Sequence, residues 1–160
     1  MEGRAVEAVS DQGKAVSEVD DPLRLDRQVC FALAVANRAV LAVYRPLLEP
    51  MGLTHPQYLV MLALWGEAPM SVKDIGEAIQ LDSPTLSPLL KRLEAAGLIT
   101  RRRDAGNERN LVVDLTEAGW ALRKEAEKIP PAVVARLGVS LADLEELRDV
   151  LNRVNEAARK

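Results

Sequence analysis

The chain holds one cysteine, Cys30, and one histidine, His55, among 160 residues. A lone cysteine cannot close an internal disulfide, so its thiol is free for redox or nucleophilic chemistry, or simply for packing in a core. Thiolate is the reactive form, and helix N-terminal N–H groups or other hydrogen-bond donors supply thiolate character at an accessible site. One Cys and one His are too few ligands for a structural zinc, and no glycine-rich phosphate loop of the P-loop or Rossmann kind occurs. No metal, no cofactor and no enzymatic activity are therefore expected.

A second group of residues suits nucleic acid. Ser83, Thr85, Ser87, Lys91 and Arg92 fall within fifteen residues of one another, and Arg101, Arg102, Arg103 and Arg109 follow closely. The net charge of -3 would argue against such a partner, but six acidic residues sit in the first 21 positions and distort the sum. A phosphate responds to local charge. The plainer reading of the arginines is a solvated hairpin face.

The elements that must carry these residues can be read from periodicity and caps. Residues 1–21 have no sustained pattern and read as a mobile tail. From Pro22, the series Val29, Leu33, Ala36, Val40, Val43, Leu47 predicts a long amphipathic helix ending near Pro50 and Gly52. Thr54 and Pro56 read as N-cap and first residue of a second helix reaching about Gly66. Ser71 caps a short helix, VKDIGEAI, that ends near Gln80. Asp82, Ser83 and Pro84 open SPTLSPLLKRLEAAG, with Leu86, Leu89, Leu90 and Leu93 as the buried stripe; Pro88 predicts a slight bend or a 3₁₀ opening. LITRRR and NLVVDL are β-like runs joined through DAGNE. Thr116 and Glu117 start a helix disturbed at Pro130 and Pro131, and Ser140 with Asp143 caps a last one striped by Leu141, Leu144, Leu147, Leu151 and Val154.

Two short helices followed by a hairpin make a winged helix-turn-helix, in a chain that is mainly α with a small β-hairpin. The helical dimerisation region comes from the N- and C-terminal helices. Residues 22–160 form one domain: about 54–115 bind DNA, and 22–50 with 116–160 supply dimerisation helices whose apolar stripes exceed what a small monomer needs. In such a unit the second helix offers short polar side chains to base edges, as Ser83, Thr85 and Ser87 can, while Lys91 and Arg92 reach phosphate or guanine. Arg109 is expected at the wing tip, with Arg103 nearby, to enter a narrow minor groove. A helix-turn-helix that binds protein is the alternative. No apolar run reaches the roughly 18 residues that would cross a bilayer and the start lacks a signal core, so a cytoplasmic protein without membrane contact is expected.

From Leu25 to about Pro130 the sequence resembles the organic-hydroperoxide-sensing, OhrR-type branch of the MarR regulators. LDSPTLSPLLKRLEAAGLITRRRDAGNERNLVVDLTEAG carries the likeness to the family at large. LDRQVCFALAVANRAVLAVYRPLLEPMGLTHPQYLVMLALW carries the likeness to the branch. The resemblance implies a repressor of a pseudo-palindromic double-stranded operator, a homodimer, and a cysteine, here Cys30, oxidised by an organic hydroperoxide to sulfenic acid with release of DNA. It also implies two tyrosine hydroxyls donated to the thiolate by the partner subunit. Tyr44 matches the first, and His55 stands where the second would be. Fourteen helical residues, about 21 Å, separate Cys30 from Tyr44, so they meet only across an antiparallel pair of such helices.

His55 is the departure from the branch pattern. Neutral imidazole donates one hydrogen bond, and imidazolium would add a charge, which predicts sensor reactivity that varies between about pH 5.5 and 7.5. A solvent-facing histidine at a helix start is the plainer reading. Ala34 also stands where some relatives have an aromatic residue. Without a second cysteine, oxidised Cys30 must be capped by a low-molecular-weight thiol, cyclise to a sulfenamide or oxidise further. Two alternatives remain: a MarR-type repressor controlled by a small phenolic or apolar ligand, and a thiol peroxidase, for which the chain lacks both a thioredoxin-like pattern and a resolving cysteine.

Overall fold

The computed structural model describes residues 21–160, without the Glu108 side chain; the expected tail lies outside the described residues except for Asp21. Two compact units divide at Asn37 and Arg38. In the first, a 3₁₀ turn, Leu25–Arg27, leads into α1 (Val29–Leu48). The Gln28 amide donates at 2.8 Å to the carbonyls of Pro22 and Arg24, fixing the chain just ahead of the helix. Val29, Phe31, Leu33 and Val35 are exposed.

By length and composition, Val29–Met51 is apolar enough to cross a membrane, which corrects the expectation that no such run exists. Asn37, Arg38, Tyr44, Arg45 and Glu49 are the main polar interruptions of this segment, so apolar residues occupy more of its circumference than a single buried stripe requires. Pro46 lies inside the helix, and Gly52 closes the following turn, Glu49–Met51, at φ 69°.

The second unit is built on α2 (His55–Glu67). His55, not Pro56, is its first residue, because the Thr54 hydroxyl and the Gln57 side chain form a reciprocal cap with each other's backbone N–H. Val60, Met61 and Leu64 from this helix join Ile75, Leu86, Leu90, Leu93, Ile99 and Val113 in the core. Strand β1 (Met70–Ser71) was not foreseen, being two residues long. It pairs with β3 (Asn107–Leu115), the middle strand of an antiparallel sheet whose other edge is β2 (Ile99–Asp104).

Helices α3 (Val72–Ile79) and α4 (Ser83–Ala95) form the helix-turn-helix. Ser71 accepts from the N–H of Asp74 and Asp82 from that of Thr85, so each helix begins with a side-chain cap. Gln80 is left-handed at φ 57° to make the turn. A Cβ on Gly76 would lie 2.8 Å from the Leu81 carbonyl oxygen, so the turn folds back against α3 too closely for alanine. The four expected leucines of α4 are buried. Pro88 does not give the expected 3₁₀ opening: α4 is α-helical from Ser83, and the missing Pro88 N–H falls early in a helix already anchored by its cap.

The wing strands are longer than the hydrophobic runs. β2 (Ile99–Asp104) and β3 (Asn107–Leu115) run into the polar DAGNE segment and leave only Ala105 and Gly106 as the turn. Asp104 accepts from the Gly106 N–H and Asn107 from the Arg109 N–H, which replaces part of the ladder at the irregular end.

After the wing, Thr116 caps α5 (Glu117–Ala126). Pro130 and Pro131, expected to disturb one helix, instead begin a new one, α6 (Ile129–Leu137). The N–H groups they lack would have had no partner in a first turn. Ser140 caps α7 (Leu141–Ala158), where Leu141, Leu147, Val150 and Val154 are exposed.

Candidate functional site

Three groups of residues result. On α4 the stripe Leu86, Leu89, Leu90, Leu93 packs inward, which leaves Ser83, Thr85, Ser87, Lys91 and Arg92 exposed on the opposite side. The Asp82 carboxylate, held below its usual pKa by the hydrogen bond from Thr85, is engaged in capping. Three hydroxyls and two cations are thus presented at and after the start of a capped helix, an arrangement able to meet base edges and phosphates in a major groove.

The basic cluster is smaller than the sequence suggests. Arg101 makes a two-pronged contact with Glu94 at 3.1 and 3.2 Å, lowering the carboxyl pKa and fastening β2 to α4. That pair lies seven residues apart across the helix-to-strand corner, which is why sequence reading missed it. Arg102, Arg103 and Arg109 are exposed and form no ion pair among the described residues. Arg109 is the third residue of β3 and not on the turn itself, with its N–H held by the Asn107 side chain at 3.1 Å.

Cys30 is exposed in the first turn of α1. It belongs to the first compact unit, and Tyr44 and His55 to the second. The second unit does bring Tyr44 and His55 together: their ring centroids are 5.0 Å apart, edge to face. Tyr58 completes a triangle, 6.0 Å from Tyr44 and 6.3 Å from His55. Tyr58 is buried. It was not singled out from the sequence, although its position one helical turn after His55 was the available signal.

Burial decides the protonation of this cluster. It lowers the His55 pKa, disfavouring imidazolium, and raises those of Tyr44 and Tyr58, the latter also through Tyr44. All three are therefore neutral at pH 7 and each can donate a hydrogen bond. For His55 this moves the charge change toward the acid end of the expected window.

Residues 53–111 match the MarR family. The chain is 41% identical over 131 residues to the organic hydroperoxide resistance transcriptional regulator of Bacillus subtilis (strain 168), covering 82% of this chain and 89% of that protein. It is also similar to reduced AbfR bound to DNA, with a TM-score of 0.72 and 31% identity over 86% of this chain and 96% of that one. Overoxidized AbfR bound to DNA aligns over the same shares with a TM-score of 0.71 and 31% identity; AbfR is from Staphylococcus epidermidis.

Proposed function

Because the chain belongs to the MarR family, we propose that it is a DNA-binding transcriptional repressor that senses organic hydroperoxides by oxidation of Cys30 and then releases its operator. It acts stoichiometrically, as a regulator and not an enzyme, in the cytoplasm. The observation that carries the sensor reading is the Tyr44–His55 pair: two neutral side chains able to donate, their ring centroids 5.0 Å apart, on the residues that the resemblance assigns to the thiolate.

The functional unit is a homodimer. Val29, Phe31, Leu33 and Val35 on α1 and Leu141, Leu147, Val150 and Val154 on α7 are apolar and exposed in one chain, and burying such faces favours association. Residues 22–50 and 116–160 form the dimerisation region, and 54–115 the DNA-binding unit. Cys30 and Tyr44 lie on the same helix, and an antiparallel pair of α1 helices brings Cys30 of one chain to Tyr44 and His55 of the other.

In the reaction, the Cys30 thiolate attacks the terminal oxygen of the hydroperoxide. An S–O bond forms and the O–O bond breaks. The thiol is oxidised to sulfenic acid, the peroxide is reduced, and the alkoxide leaves and takes up a proton as the alcohol. Tyr44 and His55 stabilise the thiolate beforehand by hydrogen bonding. Capping of the sulfenic acid by a low-molecular-weight thiol then places bulk inside a packed interface and shifts the helices. The two α4 helices must fit successive major grooves about 34 Å apart on a pseudo-palindromic site, so a change in their spacing weakens binding. Ser83, Thr85, Ser87, Lys91 and Arg92 contact the major groove, and Arg103 and Arg109 the backbone and minor groove.

The test is a DNA-binding titration of reduced and then hydroperoxide-treated protein, with mass spectrometry of Cys30. Treated wild type leaves the operator and carries the modification, whereas Cys30→Ser stays bound. Release of that variant by hydroperoxide would end the sensor reading. One observation favours a small apolar or phenolic ligand as a second input: a cleft of about 300 Å³ bordered by Tyr58, Leu62, Trp65 and Pro130, beside the aromatic triangle.

A further inference from the structure

A separate cavity of about 410 Å³ lies between the end of α1 and the start of α2. Leu41, Leu48 and Leu53 supply apolar walls, Arg45 and Glu49 charges, and His55 a third side. Its volume is within the range of small-molecule sites, about 300 to 1,000 Å³.

Arg45 shares one face of α1 with Leu41 and Leu48, one turn before it and one turn after. Arg45 is exposed, and its guanidinium forms no ion pair among the described residues. Glu49, four residues on, borders the same cavity without pairing with it. A guanidinium that makes no ion pair, beside leucine walls, suits an amphiphilic anion, alkyl chain on the leucines and acid group on Arg45, with Glu49 opposing it. His55 links this cavity to the sensor, since the same ring borders the cavity and packs on Tyr44.

We propose that this cavity is the reactant pocket and that Arg45 makes the sensor selective for straight-chain hydroperoxides ending in a carboxylate. The selectivity rests on the Cys30 reading; the binding site does not. With its acid group on Arg45 and its chain on Leu41, Leu48 and Leu53, the reactant extends past His55 and offers its O–O bond to the thiolate of the other chain. Arg45 touches the reactant but not the breaking bond, so it sets affinity and selectivity, not intrinsic thiol reactivity.

Two measurements on the full-length dimer separate the claims. In the first, stopped-flow rates of Cys30 oxidation compare ω-hydroperoxydecanoate with its methyl ester. Wild type prefers the acid by tenfold or more, Arg45→Gln reduces that preference to about twofold or less, and Glu49→Gln increases it. Cumene hydroperoxide, which has no acid group, is the reference: in Arg45→Gln the ratio of the acid rate to the cumene hydroperoxide rate falls fivefold or more, while the ratio of the ester rate to it stays within twofold of wild type. An equal acid and ester rate in wild type, or an acid preference that survives Arg45→Gln, overturns the selectivity. In the second, calorimetry with reduced protein detects octanoate binding that Arg45→Gln removes and that octan-1-ol does not reproduce. Absence of octanoate binding while Cys30 still reacts with cumene hydroperoxide overturns the pocket alone. Octanoate binding with an inert Cys30 overturns the sensor and leaves the pocket standing.

Discussion

Replacement of Gly119 by alanine tests the joint between the wing and the helices that follow it. A Cβ at Gly119 would lie 2.2 Å from the Leu98 carbonyl oxygen and 3.1 Å from a Leu115 methyl. The obstacle is backbone, so no rotamer relieves it, and the start of α5 must retreat by about 1 Å from the entrance to β2. Three interactions hold that contact: the Thr116 N–H donates to the Leu98 carbonyl at 3.1 Å, the Thr116 hydroxyl donates to the Gly97 carbonyl at 2.6 Å, and Trp65 Nε1 donates to the Gly119 carbonyl at 3.0 Å. Overpacking costs about 1 to 3 kcal/mol, and weakening the Thr116 cap and the Trp65 bond adds about 1 kcal/mol each. Gly119→Ala should therefore lose about 3 kcal/mol or more. Urea unfolding of reduced protein at fixed concentration reads this, because a dimer's apparent stability depends on concentration. Gly66→Ala is the internal control: nothing lies within 4 Å of its Cβ, and a helical glycine replaced by alanine gains about 0.5 kcal/mol. A Gly119→Ala protein within 1 kcal/mol of wild type would refute the close-approach argument.

Burial lowers the His55 pKa, so the unfolded chain takes up a proton more readily than the folded one below the ordinary imidazole value of about 6.5. Stability from this group is intact above that pH and is lost as pH falls through the folded pKa; the urea midpoint of wild type should drop further than that of His55→Phe between pH 7 and pH 5, and parallel curves would contradict it. Arg109→Ala should weaken operator binding and reduce the slope of log affinity against log salt by about 1, whereas Arg101→Ala, whose guanidinium is engaged by Glu94, should leave the slope unchanged in fluorescence anisotropy. Trp65→Phe removes a donor from the Gly119 carbonyl and should cost about 1 kcal/mol in urea unfolding; a loss near zero would mean that the bond contributes nothing net.

What could be read from sequence was whatever one element decides for itself. Ser71, Asp82, Thr116 and Ser140 each accept from the N–H three residues on, so their caps were visible in short windows. The leucines of α4 were equally legible by spacing. Contacts set by packing between elements were not: β1 exists because Met70 meets Val113 from 43 positions away, and Arg101 is occupied because the chain turns a corner back toward Glu94. The proline pair at 130 and 131 misled because a breaker and a helix start look alike unless the preceding helix is known to have ended. The same division runs through the candidate site. Residue type marked Cys30 and the family resemblance marked Tyr44 and His55, yet Tyr58 and the Arg45 cavity emerge only where α1 and α2 meet, and those two helices are joined by a turn whose geometry depends on Gly52 at φ 69°. The proposed site has no compact sequence signature, because packing between helices decides which of its side chains burial leaves uncharged.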